Sequence, residues 1–564
     1  MPRPYDPRPR PFHTRLAVIA GLGVLAATGV ARPADRPAPR PTGAVWDEAA
    51  ARHLLSRTSF SGSPEEAKRL AAMSRDEAVK HLLDRAVAAQ PPQKPEWVRD
   101  AWINYNRRYS DMTAEEYLVI LRRNGTRNAN ELNDLRAWWV GQMTKTDAPL
   151  RETMTLFWHG HFTSASGKVF NLAEGFYQQN ATWRQHAIGN FRTFLEAVTL
   201  DPVMLIYLDM EESDKAHPTE NYARELLELF TLGVGNYTEK DVLEIARAFT
   251  GWTLDQPEGT VRVKRETDPT RARSVLRDGL VPKIIPGRHD TGEKTIFGKT
   301  GNFQVKDVLD LIVSHPACGR HIAGRLIAYY GAYDPDGTLR ERMGRAFTES
   351  KYEIRPMLEV LFTSPEFYAP EARGSQVKSP VRLLVGALRE LKHDGEVTPA
   401  VAQLTVPLGQ ELFNPPTVKG WPGGTAWVSA STLALRARLG EPLVDGRIPS
   451  GTDPLGRLRQ TVLSADPVAA AATTRRLIQI DDERRQAQAG EGIKLHFDQA
   501  KVIPAGLADE PEKLTDFLLA KMVVTKVRPT TRAAIMAACQ DASTGHRVTL
   551  AVKLILASPD YQME

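Results

Sequence analysis

From Val45 onward, apolar residues recur every three to four positions along most of the chain, the spacing of one buried helical face. Short helices are predicted over Ala49–Leu55 and Pro64–Leu70, around the loop Ser59-Phe60-Ser61-Gly62. Leu135–Met143 continues the pattern, and Asp147 with Pro149 supplies the cap and first turn of the next helix. That helix sets Leu150, Met154 and Phe157 at i, i+4 and i+7, a core-facing stripe. Glu152 and His159, seven apart, share another of its faces. A further helix is predicted over Glu220–Leu232, stopped by Gly233. Its main apolar face is Ala223, Leu226, Leu227 and Phe230. Leu229 and Leu232 carry burial further round the wheel, so Glu225 falls among apolar positions. Glu228, on the far side, is expected to form a solvated pair with Arg224. Thr238 and Asp241 read as a capping box ahead of inward-facing Val242, Ile245, Ala246 and Phe249.

The helical period breaks over residues 253–304. Val261-Arg262-Val263 and Val281-Pro282-Lys283-Ile284-Ile285 alternate among many Gly and Pro residues, predicting a small β-hairpin with His289-Asp290-Thr291-Gly292 at its turn. Helices resume over Val305–Tyr330 and Arg355–Phe362. The expected fold is mainly α: a multi-helix globular fold with a β-hairpin insertion around 255–300. A faint internal echo links Val360-Leu361-Phe362-Thr363-Ser364-Pro365-Glu366-Phe367-Tyr368 to Leu554-Ile555-Leu556-Ala557-Ser558-Pro559-Asp560-Tyr561-Gln562. Two copies are too few for a solenoid but point to two similarly built helical parts. The main helical domain is placed at 43–440, a Gly/Pro-rich linker at 441–456 and a C-terminal helical region at 457–564.

Charge alters this picture only at the N-terminus. Residues 1–42 hold seven Arg and two Asp, a net of +5, which equals the formal charge of the whole chain, so the remainder sums to zero. A nucleic-acid role loses its main support. Arg3, Arg8, Arg10 and Arg15 precede the apolar run Leu16–Val30, the order of a secretory signal peptide over residues 1–31. The run is shorter than the roughly 20 residues a spanning helix needs; an uncleaved anchor is the alternative. Residues 32–42 read as a stiff Pro/Arg tether, and the expected location is periplasmic or secreted, with no membrane span in the mature chain. Cys318 and Cys539 are the only cysteines, either one disulfide or two buried thiols.

Candidate chemistry centres on Leu156-Phe157-Trp158-His159-Gly160-His161-Phe162, two imidazoles in an aromatic frame. On a continuous helix residues two apart point about 200° away from each other. His159 and His161 therefore share an ion only if Gly160 ends the helix; otherwise they are packed side chains bonded to backbone carbonyls. His289 is the candidate third ligand for a divalent transition metal such as Zn or Fe. Glu225 is a candidate ligand or general base, with a buried ion pair to an arginine as the favoured alternative. Asp290 and Lys294 are catalytic candidates, set against ordinary turn chemistry. Trp421 and Trp427, in Gly420-Trp421-Pro422-Gly423-Gly424-Thr425-Ala426-Trp427, are candidates for stacking on a sugar ring or for anchoring that loop. The chain has no Gly-x-Ser-x-Gly, Walker loop or dinucleotide fingerprint.

Tyr222-Ala223-Arg224-Glu225-Leu226-Leu227-Glu228-Leu229, Tyr237-Thr238-Glu239 and Arg247-Ala248-Phe249-Thr250-Gly251-Trp252 resemble domain-of-unknown-function family 1800. So do Phe157–Phe162, His289–Lys294, Lys378-Ser379-Pro380, Phe413-Asn414-Pro415-Pro416 through Trp427, and His53-Leu54-Leu55-Ser56-Arg57. The resemblance implies a large, exported, mainly helical protein without a settled activity. It also implies a genetic neighbour similar to exported sulfatases and phosphatases, and hence an envelope or extracellular polymer. Many relatives carry His where this chain has Phe230, a departure that weakens any ligand role there. The expectation from residues and resemblance together is a metal-dependent hydrolase of such a polymer. Its alternatives are a non-catalytic export or assembly partner and a carbohydrate-binding protein.

Overall fold

The computed structural model describes residues 45–98, 114–169, 172–255, 281–446, 495 and 497–564. The expected signal peptide and tether, and the strand expected at 261–263, lie outside the described residues. Pro41–Glu564 form one compact unit. Its helices are α1 (Glu48–Thr58), α2 (Pro64–Ala71), α3 (Arg75–Ala88), α4 (Ala114–Lys145), α5 (Pro149–His161), α6 (Ala173–Gln185), α7 (Phe191–Thr199), α8 (Pro202–Tyr207), α9 (Glu220–Glu225) and α10 (Glu239–Ala248). They continue with α11 (Val305–Ser314), α12 (Pro316–Tyr330), α13 (Thr338–Glu349), α14 (Ile354–Thr363), α15 (Pro380–Glu390), α16 (Ala430–Ala437), α17 (Gly440–Asp445), α18 (Pro511–Met522), α19 (Pro529–Asp541) and α20 (Thr544–Ala557). The protein is mainly α, as its periodicity predicts.

Between α10 and α11 lie two antiparallel ladders, β1 (Trp252–Asp255) with β2 (Val281–Ile284) and β3 (Lys294–Ile296) with β4 (Lys299–Gly301). The β insertion is therefore two short hairpin-like pairs, and His289–Gly292 lie between them rather than at a hairpin turn.

The core gathers round α5. Leu150, Met154 and Phe157 are buried as their spacing predicts, and Trp158 stacks on Phe162 with Phe194 edge-on, ring centroids 5.5 and 5.1 Å away. The opposite face of α5 carries Glu152, which takes Arg184 at 2.6 and 3.0 Å and Trp139 Nε1 at 2.9 Å. A buried carboxylate with three donors is satisfied in place, so this face packs inward as well.

The sequence echo is a real structural repeat. Helices α12, α13 and α14 pack in succession, and so do α18, α19 and α20. Each trio ends in the same turn. Ser364 and Ser558 donate to the carbonyls of Leu361 and Ile555, each at 2.7 Å. Each serine also accepts an amide three residues on, from Phe367 and Tyr561, at 3.3 Å. The acid after each proline pairs with an arginine of its own trio: Glu366 with Arg342 at 3.0 Å, Asp560 with Arg528 at 2.8 Å.

The two turns close on α1. His53 Nε2 bonds Phe367 O at 3.0 Å, and Arg57 Nη2 donates to Ala372 O at 2.9 Å and Glu564 O at 2.6 Å. Arg382 of α15 binds the Glu564 carboxylate at 2.7 and 3.1 Å and donates to the carbonyls of Ser56 and Arg57 at 2.7 and 2.9 Å. Lys378 is buried over the Tyr561 ring, 3.8 Å from its centroid. The motifs around Arg57 and Lys378 thus build one internal hub. The linker expected at 441–456 begins as the helix α17, packed on α20; its part beyond residue 446 lies outside the described residues. Cys318 and Cys539 are both free and buried, which resolves the disulfide alternative in favour of thiols.

Asp201 caps α8, accepting Met204 N–H at 2.9 Å and Gln179 Nε2 at 2.7 Å, yet burial still pushes its carboxyl up to about 7. A carboxyl raised in the folded state contributes stability that is complete below its unfolded value and lost as pH rises through 7. Asp201→Asn keeps the cap and removes the titration. It is expected to flatten the fall in stability between about pH 4 and 7, a slope of up to about 1.4 kcal/mol per pH unit, in urea unfolding curves compared across that range. An unchanged slope would show that Asp201 does not titrate there.

Candidate functional site

At Leu226 the helix begun by α9 widens into a π-helix that runs to Thr231. Leu226, Leu227 and Phe230 are buried and Leu229 is half-buried, so apolar positions cover more of this turn than one α-helical stripe. The amides of Leu232 and Gly233 both reach back to Leu227 O, at 3.0 Å each, and Gly233 closes the turn at φ +81. The carbonyls of Leu229 and Phe230 are taken by side chains: His321 Nε2 lies 2.8 Å from the first, His161 Nε2 2.9 Å from the second. A carbonyl only accepts, so both imidazoles carry their proton on Nε2. π-Helical turns occur mostly as local widenings and often mark functional sites.

Glu225 stands where α9 meets this turn. It is half-buried and makes no hydrogen bond or ion pair among the described residues, so the expected arginine partner is not there. Burial, aided by the neighbouring Glu228, raises its carboxyl above the usual carboxylate range; Lys419 opposes the shift. Arg224 is engaged elsewhere, by Glu220 at 2.9 Å and Glu239 at 2.8 Å. Glu228 pairs with Lys419 Nζ at 3.7 Å rather than with Arg224. Burial, with the Glu225 charge nearby, raises the Tyr207 hydroxyl.

The loop bearing Lys419 is seated on the end of α5. Thr163 Oγ1 donates to Val418 O, and Gly420, at φ +78, backs onto the Gly160 carbonyl. A Cβ at Gly420 would stand 2.5 Å from that oxygen, so only glycine allows the approach. Trp421 follows, half-buried, with its ring 5.5 Å from that of His159. The site thus assembles Glu225, Glu228, Lys419 and Tyr207 from α8, α9, the π-helix and one loop, and Trp421 follows Lys419 by two residues on that loop.

The histidines are arranged differently. Gly160 stays inside α5, which runs on through His161, so the two imidazoles point apart. His159 Nε2 accepts Phe413 N–H at 3.0 Å, and burial beside Trp139 and Phe413 pushes its pKa down to about 3. His161 caps the π-helix. His289 Nδ1 donates to Thr250 O at 2.9 Å. Each ring holds a different backbone segment, and among the described residues no three His, Cys, Asp or Glu side chains form a group able to hold a metal ion.

Asp290 and Lys294 form a closed turn. Arg247 binds Asp290 at 2.8 and 3.3 Å, Gly292 N–H donates to Asp290 at 2.8 Å, and buried Lys294 donates to the carbonyls of Asp290 and Gly292 at 2.7 and 2.8 Å. Turn chemistry accounts for both residues. Trp427 is buried with its ring edge against Gly409, an anchor with no free face for a sugar. His321, Lys419 and Tyr207 carry no motif of their own. The single signal for the π-helix was the breadth of its apolar face, where Leu229 and Leu232 spill past the main stripe.

The model of the family described as protein of unknown function (DUF1800) matches residues 53–563. The chain belongs to this family. The match runs from α1 through the second Ser-Pro turn, so the DUF1800 unit includes both helical trios and the hub between them. No curated protein and no solved structure matches the chain. No helix among the described residues is long and apolar enough to cross a membrane.

Proposed function

We propose that this DUF1800 chain is an exported hydrolase of an envelope or extracellular polymer, most simply a polysaccharide, with Glu225 as its acid–base group. The observation that carries the reading is a half-buried carboxyl with no partner among the described residues and a raised pKa. A carboxyl kept protonated above its usual range can hand a proton to a leaving-group oxygen and take one back from water. Glu228, three residues on and paired with Lys419, is the second carboxylate that such hydrolysis uses. Trp421 offers a partly open aromatic surface for a sugar ring. The export rests on the N-terminal pattern of Arg and apolar residues, and an exported sulfatase- or phosphatase-like protein acting on the same polymer is the partner that the family resemblance implies. The metal-dependent form of the reading finds no support in the three histidines, each of which is bonded to its own backbone segment.

The test is to incubate the purified protein with a panel of bacterial envelope and extracellular polysaccharides and to count new reducing ends, with Glu225→Gln alongside. Cleavage by wild type alone supports the proposal. Equal cleavage by both, or none on any polymer by the folded protein, overturns it. A non-catalytic assembly role is the second reading, favoured by the use of His159, His161, His289 and Lys294 to lock backbone segments together.

A further inference from the structure

We infer that His321 and His161 are positioning residues that hold the π-helix open and so fix Glu225 and Glu228 relative to one another; their catalytic consequence rests on the reading of Glu225 above. The two imidazoles arrive from different helices, α12 and α5, and dock on consecutive carbonyls of the same turn, Leu229 and Phe230. The last carbonyls of any helix lack intrahelical donors. A widened turn has in addition given up the regular i→i+4 ladder, so fixed outside donors are what keep it from relaxing.

Among the described residues, neither ring makes a hydrogen bond at its second nitrogen. His161 Nδ1 is sealed from solvent without a partner, a cost that the side chain bears in order to place its Nε2 proton. His321 Nδ1 lies against the backbone of Gly233, close enough that a Cβ there would come within 3.0 Å. That contact ties His321 to the residue that ends the turn. The charged and titratable neighbours of the pair are each other and Arg325, and burial with these neighbours disfavours a second proton on either ring. The Nε2–H donors therefore persist across neutral pH, and the brace does not depend on charge.

The geometry explains the pairing seen in the site. With the turn widened, Glu228 faces Lys419 and leaves Glu225 unpaired; an α-helical turn would return Glu228 towards Arg224, four residues back. Bracing the turn thus selects which carboxylate is neutralised.

Two measurements test this. In wild type, histidine ¹⁵N resonances of both rings are expected to report the Nε2–H tautomer at neutral pH; an Nδ1–H tautomer for either ring overturns the inference without any variant. His321→Leu is then compared with His321→Gln, whose amide can still donate. The leucine variant is expected to raise hydrogen exchange at the amides of Leu232 and Gly233 by at least about tenfold, and glutamine to restore most of the protection. Wild-type protection in the leucine variant overturns the brace. Where a polymer is cleaved, kcat is expected to fall about 10²-fold in the leucine variant with KM little changed, as for a misplaced catalytic group. Exchange and tautomer are read without turnover, so failure of the brace and failure of the hydrolase reading are separately visible.

Discussion

Glu225→Gln is expected to lower hydrolysis by about 10²–10⁴-fold, the contribution of one acid–base group, while leaving stability within about 0.5 kcal/mol. The amide keeps the size and shape of the side chain but can neither give up nor take a proton at neutral pH. Because Glu225 has no hydrogen bond or ion pair to lose among the described residues, the substitution breaks nothing that holds the fold. Activity that needs the protonated acid falls as pH rises through the Glu225 pKa. With that pKa raised by burial and by Glu228, the alkaline limb of the profile is expected above the ordinary carboxylate range. Glu228→Gln removes the second carboxylate together with its like charge, so its rate is expected to fall as well, and the limb of the remaining activity to move to lower pH. Initial rates against pH for the three proteins, with thermal melts, decide the matter. A limb that stays in place when Glu228 is neutralised would sink the coupling of the two carboxyls.

The largest loss of stability is expected from Arg382→Ala, about 3–5 kcal/mol, with a fall in Tm of roughly 3–5 °C for a cooperative unit of this size. Truncation strands the Glu564 carboxylate, which is nearly sealed from solvent, and leaves the carbonyls of Ser56 and Arg57 without these donors. Removing one partner of a buried pair is far worse than replacing both by apolar groups. The double change Arg382→Met with Glu564→Leu is therefore expected to recover part of the loss. Urea unfolding of the single and double variants tests this. A single variant within about 1 kcal/mol of wild type would mean that water reaches Glu564.

Most of the fold could be read from periodicity because periodicity is what burial imposes. The stripe Leu150, Met154, Phe157 and the capping box at Thr238 and Asp241 are both present, each a local pattern with a local cause. The Ser-Pro echo was visible for the same reason, since one hydrogen-bonded turn demands one short sequence. The site was legible only in part. Glu225 stood out as a carboxylate among leucines, but its missing partner depends on where Arg224 and Lys419 settle in three dimensions. His159 and His161 misled because Gly160 permits a helix end without requiring one, and the surrounding aromatic residues pack better when the helix continues. The role of His321 was invisible: a donor that completes another helix's broken ladder leaves no spacing to find.

The bond between Arg57 and Glu564 joins positions 507 residues apart. Chain-closure entropy grows with the logarithm of that span, and contacts of such range form late in folding. Helix α1 is synthesised early, yet the second of the two carbonyls that its buried guanidinium binds, that of Glu564, arrives only after the second helical trio is made. A chain still being made therefore holds the Arg57 guanidinium without the Glu564 carbonyl that it binds in the finished fold.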